Sequence, residues 1–484
     1  MTDDTNNNFF DSDYFKDILK EYEECMKNGR DCILASNDIA LIADYYFEQK
    51  NVAKAKEVGE YALSLYPDAT DSLTFMAKYK MHTERDFKAA RQLLERVDDY
   101  GNYEYIICIA ELEMMERHSA DVVMKIITDG LDATPDEEKG YLKINLCNLL
   151  IDYNYITEAK SIANDIENDN PEEFTIIKAR LLTTEGKGKE AIAILNELID
   201  KDTFNVYYWN TLMNVQMECK DFSGAISSAE YTVAIDPECF EAYMAMGAAY
   251  MSLGNYEKAI ASLKEYIRIC NDEAGYIMIA QCYYYMNEDE KALKMLLKTD
   301  KMFPYNTANR PEILKALAVI YDENGDHEKA LELARKAMKE GCKEWYDMDC
   351  ATTEIGALFS LGRSDEAIML INKYGRMMKG EDLHDFLFKT AVVCYDKHFI
   401  IEAYALLNEL YVRFRGRTTG MPFYAACCYQ LKKDEEYIYA LELAISIYPK
   451  ETKDVLGWMF PRDMEVYDYL KYAKEHHVDS DKND

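Results

Sequence analysis

The sequence predicts an all-α fold, an α-α superhelix built as a solenoid of about twelve helical hairpins with a capping helix at each end. Three observations predict it. Between Val206 and Glu273, the residues Trp209, Leu212, Gln216, Ala225 and Pro237 recur 34 residues later as Tyr243, Met246, Tyr250, Ala259 and Asn271. Each of these two units reads as an apolar helix, a short turn and a second helix. Prolines near the same period (Pro67, Pro135, Pro171, Pro237, Pro304 and Pro449) are expected to close the second helices.

The physical logic is clearest in the second unit. Tyr243, Met246, Gly247 and Tyr250 fall at i, i+3, i+4 and i+7, so they form one stripe of a helix that must be covered. Gly254 and Asn255 break that helix. Ala259, Leu263, Tyr266 and Ile267 then form the facing stripe of a helix over 257–269, with Gly247 and Ala259 small where the two helices approach. One hairpin leaves an apolar face open, and stacking copies covers it, so stability becomes a sum of nearest-neighbour interfaces.

At these residues the chain resembles the tetratricopeptide repeat family: Trp or Tyr, Leu, Gly, Tyr, Ala, a second Ala and Pro stand at the family's spacing. The resemblance implies a right-handed superhelix of helical pairs with a concave groove. Periodicity alone also fits other helical solenoids, such as Sel1 and pentatricopeptide repeats; the closing prolines and the near-constant period favour the tetratricopeptide form.

Taken in order, residues 1–10 are expected to be disordered. A capping helix lies within 11–35, where Tyr14, Phe15, Ile18, Leu19 and Tyr22 have helical spacing. Repeats one to eight occupy 36–304. The first is marked by Ile39, Ile42, Ala43, Tyr46, Ala55 and Ala62; the second is weak, and the third carries Val123 at the small position. A lengthened connection at 305–310, between Pro304 and Pro311, is the expected hinge. Repeats nine to twelve occupy 311–450, the last with Tyr437 at the small position. A turn over 451–463 should lead into a C-terminal capping helix from Met464 to Glu475, within 451–478, before a disordered tail at 479–484.

Composition narrows the function. A net charge of −34 argues against nucleic acid and anionic membranes, both of which need clustered Lys and Arg, and favours a partner that is neutral or basic. The 13 cysteines are odd in number and form no CxxC pair, which points to a reducing, cytoplasmic setting. The start of the chain carries four Asp and no apolar core of a signal peptide between Met1 and Asp13. The uncharged run Ala242–Tyr256 is too short and broken to span a membrane.

No phosphate-binding, zinc-protease or serine-nucleophile signature occurs, so no catalytic residue, metal or cofactor is expected. The nearest approaches read as structure. Asp322–Asp326 lacks the spacing of a calcium loop. Cys394 and His398 occupy a core position and a turn position of the repeat. Cys427 and Cys428 point about 100° apart on a helix. His476 with His477 sits at a fraying end, and Asp347 with Asp349 reads as a solvated loop.

In the family's geometry, positions 2, 5, 9, 12 and 13 of the first helix face the groove. The resemblance therefore places Arg180, Tyr207, Asn210, Asn214, Met217, Met244, Met251, Gln281, Tyr284 and Tyr285 there. Rigid Tyr, adaptable Met and amides are suited to gripping a peptide. The family's clamp for acidic C-terminal tails is not matched, since Asn210, Ala245, Ala274 and Met278 stand at its positions and only Asn214 agrees. Arg413, Arg415 and Arg417 form a small basic cluster that reads as a solvated loop. The expected function is a non-catalytic intracellular scaffold or adaptor that binds a protein or peptide; the alternative is a ligand- or peptide-sensing accessory subunit of an enzyme or signalling complex.

Overall fold

The computed structural model describes residues 10, 12–29, 32–166, 171–303, 309–340 and 348–477. The expected disorder at 1–9 and 479–484, the connection at 305–308, and Pro304, Cys342 and Asp347 lie outside the described residues. Among the described residues there are 27 α-helices and no strand. Contacts divide the chain into two units, Met1–Asn309 and Arg310–Asp484.

The first unit opens with α1 (Asp13–Lys27), whose Phe15, Ile18 and Tyr22 are buried with Ile39, Ile42 and Ala43 of the next helix. Eight hairpins follow: α2 (Ser36–Glu48) with α3 (Val52–Leu65), α4 (Thr70–Tyr79) with α5 (Phe87–Leu94), α6 (Tyr103–Met115) with α7 (Ala120–Ala133), and α8 (Asp136–Asp152) with α9 (Ile156–Ile166). Then come α10 (Pro171–Thr184) with α11 (Gly188–Lys201), α12 (Val206–Glu218) with α13 (Phe222–Ile235), α14 (Phe240–Ser252) with α15 (Tyr256–Cys270), and α16 (Glu273–Tyr285) with α17 (Asp289–Met302).

The second unit holds four hairpins: α18 (Arg310–Glu323) with α19 (His327–Glu340), α20 (Met348–Ser360) with α21 (Ser364–Met377), α22 (Gly380–Asp396) with α23 (Ile400–Arg413), and α24 (Met421–Gln430) with α25 (Asp434–Ile447). It closes with α26 (Pro449–Leu456), two short 3₁₀ turns and α27 (Tyr469–His477).

One backbone device repeats in all twelve hairpin turns. Each holds a single residue at positive φ: Lys50, Arg85, Arg117, Asn154, Gly186, Lys220, Gly254, Asn287, Gly325, Gly362, His398 and Lys432. The N–H that follows it reaches back to a carbonyl of the first helix, as in Asp221 to Gln216, Asn255 to Tyr250 and Phe399 to Cys394, each 2.8 Å. This left-handed cap satisfies the orphan carbonyls at the helix end and turns the chain sharply enough for the second helix to fold back. In the second hairpin the Asp86 N–H reaches Lys80 at 3.0 Å, one residue further back than elsewhere. A π-helical turn at Lys80–Glu84 absorbs the extra residue. That insertion is why the second repeat reads weakly in the sequence although its hairpin is complete.

Within hairpins, Ala55, Ala90, Ala159, Ala191, Ala225, Ala259 and Ala292 of the second helices are buried to within 1%. A Cβ on Gly247 would stand 2.7 Å from the Leu263 side chain, so the close approach there needs glycine. Val123 and Tyr437 fill the same position in the third and twelfth hairpins and are also buried, 0% and 1% exposed. The bulk of Tyr437 is matched by small residues in α24, where Ala425, Ala426, Cys427 and Cys428 belong to the same core cluster.

Two expectations need correction. Prolines do not uniformly close second helices: Pro171 and Pro449 are the first residues of α10 and α26, and Pro135 is the cap residue before α8. A fixed φ and a missing N–H suit the first helical position, so these prolines start the next element. The stretch expected as a turn after 451 is helical to Leu456 for the same reason, and the last helix starts at Tyr469 rather than Met464. Phe460 stacks on Tyr469 with centroids 3.8 Å apart, which ties the irregular segment to that helix.

Candidate functional site

In the first unit the first helix of each hairpin touches its counterpart in the next, from α2 to α4 through to α14 to α16. Direct contact between successive first helices makes them one continuous wall of this unit.

The ten residues expected on that wall are spread over α10, α12, α14 and α16. Four carry open surface: Asn214 and Gln281 are exposed, Tyr207 is 44% exposed and Tyr285 is 56% exposed. The Tyr207 hydroxyl nonetheless lies deep enough for burial, with the Glu173 charge nearby, to push its pKa up to about 12. Tyr285 stacks on Tyr256 with centroids 5.6 Å apart and meets the half-buried Tyr284 edge-on at 5.6 Å. Arg180 is held across two hairpins, donating to Asn148 at 2.5 Å and to Asp152, and the Asn210 amide lies 3.6 Å from the Cys239 sulfur. Met217 and Met251 pack against the cores between hairpins, while Met244 is half-buried. The wall therefore presents two open tyrosines and two open amides, with Arg180 and Asn210 bonded to neighbours.

A second feature escaped the sequence reading. A cleft of about 290 Å³ lies over α2, α4 and α6, with Leu41, Phe75 and Ile107 on its apolar surface and Asp44, Asp71, Lys78, Glu104 and Glu111 around it. Lys78 pairs with Asp44 at 2.9 Å. Burial is the largest influence on Lys78 and would lower its pKa, but the charge and hydrogen bond of Asp44, with the charges of Glu104 and Glu48, together outweigh it and the net shift is upward. Glu111 accepts from Tyr153 at 3.1 Å and lies 3.2 Å from His82. Burial would raise the Glu111 pKa, and these partners turn the net shift downward. Glu104 is shifted upward, first by burial and then by Asp44 and Asp71, against the opposing Lys78 and Tyr103. The repeat register carried the signal, because Asp44 and Lys78, like Asn37 and Asp71, stand one period of 34 apart.

The residues weighed for chemistry are occupied structurally. Asp322 receives Lys397 and His327, each at 2.7 Å, and His398 supplies a left-handed turn residue. Cys394, Cys427 and Cys428 are fully buried, and burial pushes each thiol up to about 12. Asp349 pairs with Lys389 at 2.8 Å, and His476 stacks on Tyr472 at 4.0 Å. The arginine cluster is neutralised in part, with Arg413 on Glu409 at 2.7 Å and Arg417 on Glu381 at 2.6 Å. Two groupings of metal-ligand type that the sequence did not reveal, Glu113/Glu116/His118 and Glu381/His384/Asp385, already hold a guanidinium, from Arg91 and Arg417 respectively. Among the described residues no helix is long and apolar enough to cross a membrane.

Comparison with known proteins matches the tetratricopeptide repeat family profile to residues 240–273, the α14–α15 hairpin with its flanks. The TPR repeat-containing protein YpiA of Bacillus subtilis (strain 168) is 23% identical over 392 residues, which span 78% of this chain and 88% of that protein. Among solved structures, a chain of the APC/C hetero-tetramer Cut9–Hcn1 aligns over 95% of this chain and 93% of its own length, at 14% identity and a TM-score of 0.40. A tetratricopeptide repeat protein from Parabacteroides merdae ATCC 43184 aligns over 52% of this chain and 98% of its own, also at 14% and 0.40.

Proposed function

We propose, from the premise that this chain is a tetratricopeptide repeat protein, that it is a non-catalytic intracellular scaffold or adaptor which holds a peptide segment or partner protein against its concave wall. Proteins of this repeat type generally mediate protein–protein interaction, and the fold is typically an interaction scaffold rather than a catalyst. The observation that carries the reading is the open aromatic and amide surface of Tyr207, Asn214, Gln281 and Tyr285 along α12 and α16, on helices whose remaining residues are mostly buried or half-buried in packing. Tyrosine gives large contact area at low entropic cost, and amides can pair with the backbone of an extended peptide. Arg180, Asn210, Met217, Met244, Met251 and Tyr284 support that surface from beneath or beside it.

The test is affinity isolation from the protein's own cell lysate with the full chain and with a Tyr207, Tyr284 and Tyr285 triple alanine variant. A partner held by the parent and lost by the variant is expected. Equal retention by both would sink the groove reading. A second reading, a regulatory accessory subunit that senses a small ligand or peptide, draws support from the division of contacts between Asn309 and Arg310. It alone predicts thermal stabilisation by a small molecule without a protein partner.

A further inference from the structure

The cleft over α2, α4 and α6 differs in chemistry from the tyrosine–amide surface. Its carboxylates are not equally matched. Asp44 has Lys78, and Glu111 has His82 and Tyr153. Asp71 receives the Ser36 hydroxyl at 3.2 Å, and among the described residues no ammonium or guanidinium lies within ion-pair distance of Asp71 or Glu104. Apolar surface lies beside these charges, from Leu41, Phe75 and Ile107. The volume, about 290 Å³, falls just short of what holds a whole small ligand, roughly 300–1,000 Å³, and suits one long side chain better.

We propose that this cleft takes the side chain of a lysine or arginine on a partner peptide, its alkyl stem on Leu41, Phe75 and Ile107 and its charge between Asp71 and Glu104. Long cationic side chains combine such a stem and head, and an acidic, partly desolvated cleft rewards the head more than open water does. The upward shift of Glu104 agrees, since a cation placed there would favour its ionised form. The proposal rests on the reading that the first unit grips a peptide, and it fixes one contact of that peptide.

The test selects peptides from a random library on the immobilised full chain and measures the enriched sequences by fluorescence anisotropy. Binding is compared for the parent, for Asp71→Asn with Glu104→Gln, for Tyr207→Ala with Tyr285→Ala, and for Asp434→Asn with Glu435→Gln. The last removes the same charge from an exposed part of α25. The first pair leaves the Asp44–Lys78 bridge intact, and circular dichroism checks that every variant keeps its helix content. The enriched peptides should share a Lys or Arg, and replacing it by norleucine should weaken parent binding about tenfold. In the Asp71/Glu104 variant that loss should shrink to about twofold or less, with no such change in the α25 control. Enriched peptides without a basic position, or an equal norleucine loss in parent and cleft variant, would overturn the proposal; the groove reading survives if the tyrosine variant still weakens binding. No enriched peptide, or binding indifferent to both variants, ends both.

Discussion

The Lys50 ammonium lies 5.8 Å from the centre of the Phe240 ring, which brings the first hairpin of the first unit against the start of the seventh. The charges around that contact agree with the geometry. Glu48 is shifted above its ordinary range by burial first, with Asp44 and Glu241 adding to it and Lys78 and Lys50 opposing. An exposed cation–π contact contributes about 0.5–1 kcal/mol. Lys50→Glu replaces attraction by repulsion toward Glu241 and should loosen the approach. Amide exchange at the start of α14 should quicken while α12 is unchanged; no change there would mean that the contact does not hold these hairpins together.

The turns offer a sharper test. Eight of the twelve left-handed turn positions are not glycine, and each places a Cβ against a carbonyl. Lys220, at φ 60°, is one of them. Lys220→Gly should raise stability by about 0.5–1 kcal/mol, because relief of that strain exceeds the added freedom of the unfolded chain. Gly254→Ala, at φ 73°, should lower it by about 1 kcal/mol. Urea midpoints of the full chain read both, and a loss for Lys220→Gly would contradict the cap geometry.

These turns also mark how far the fold was legible. The 34-residue echo of Trp209 to Pro237 in Tyr243 to Asn271 was enough for hairpins and their stacking, since periodic apolar stripes and small contact residues are local signals. Where geometry was rescued by something nonlocal, the signal faded: a π-turn hid the register at Lys80–Glu84, and small residues in α24 made room for Tyr437. The ends were misread because a proline stops one helix and starts another equally well, as Pro449 does. Position counting singled out Tyr207 and Tyr285, which the structure leaves exposed. It missed the cleft because a carboxylate on a solvated helix face and one beside Lys78 read alike in sequence.

Glu104 predicts a pH dependence. Its folded pKa is raised above the ordinary 4.5, first by burial and then by Asp44 and Asp71, with Lys78 and Tyr103 opposing. A carboxyl raised on folding binds its proton more tightly in the folded chain. Its contribution is therefore fully present below the unfolded value and is lost as pH rises through the folded one. Glu104→Gln removes that dependence, so the variant should be more stable than the parent at neutral pH, with the gap closing as pH falls toward about 4. The same variant is expected to bind a basic peptide less well, which is the usual trade between stability and binding. Thermal midpoints across that pH range decide it, and a variant less stable than the parent at neutral pH would mean that Lys78 and Tyr103 dominate.

Tyr437 tests whether nearest-neighbour packing carries the end of the second unit. It is 1% exposed, with its ring 5.4 Å from that of Tyr429, where the other hairpins hold alanine or valine. Tyr437→Ala would give α25 the small residue that the repeat pattern prescribes, so the sequence pattern alone predicts no harm. The packing predicts the opposite. Because Ala425, Ala426, Cys427 and Cys428 are already small, the substitution leaves a cavity and should cost about 3–5 kcal/mol. In a stack of local interfaces the loss should stay local, with exchange protection falling in α24 through α27 and preserved in α18 to α21. A restored volume, Tyr437→Phe, should recover nearly all of it. If Tyr437→Ala matched the parent, the compensation by small residues in α24 would be wrong.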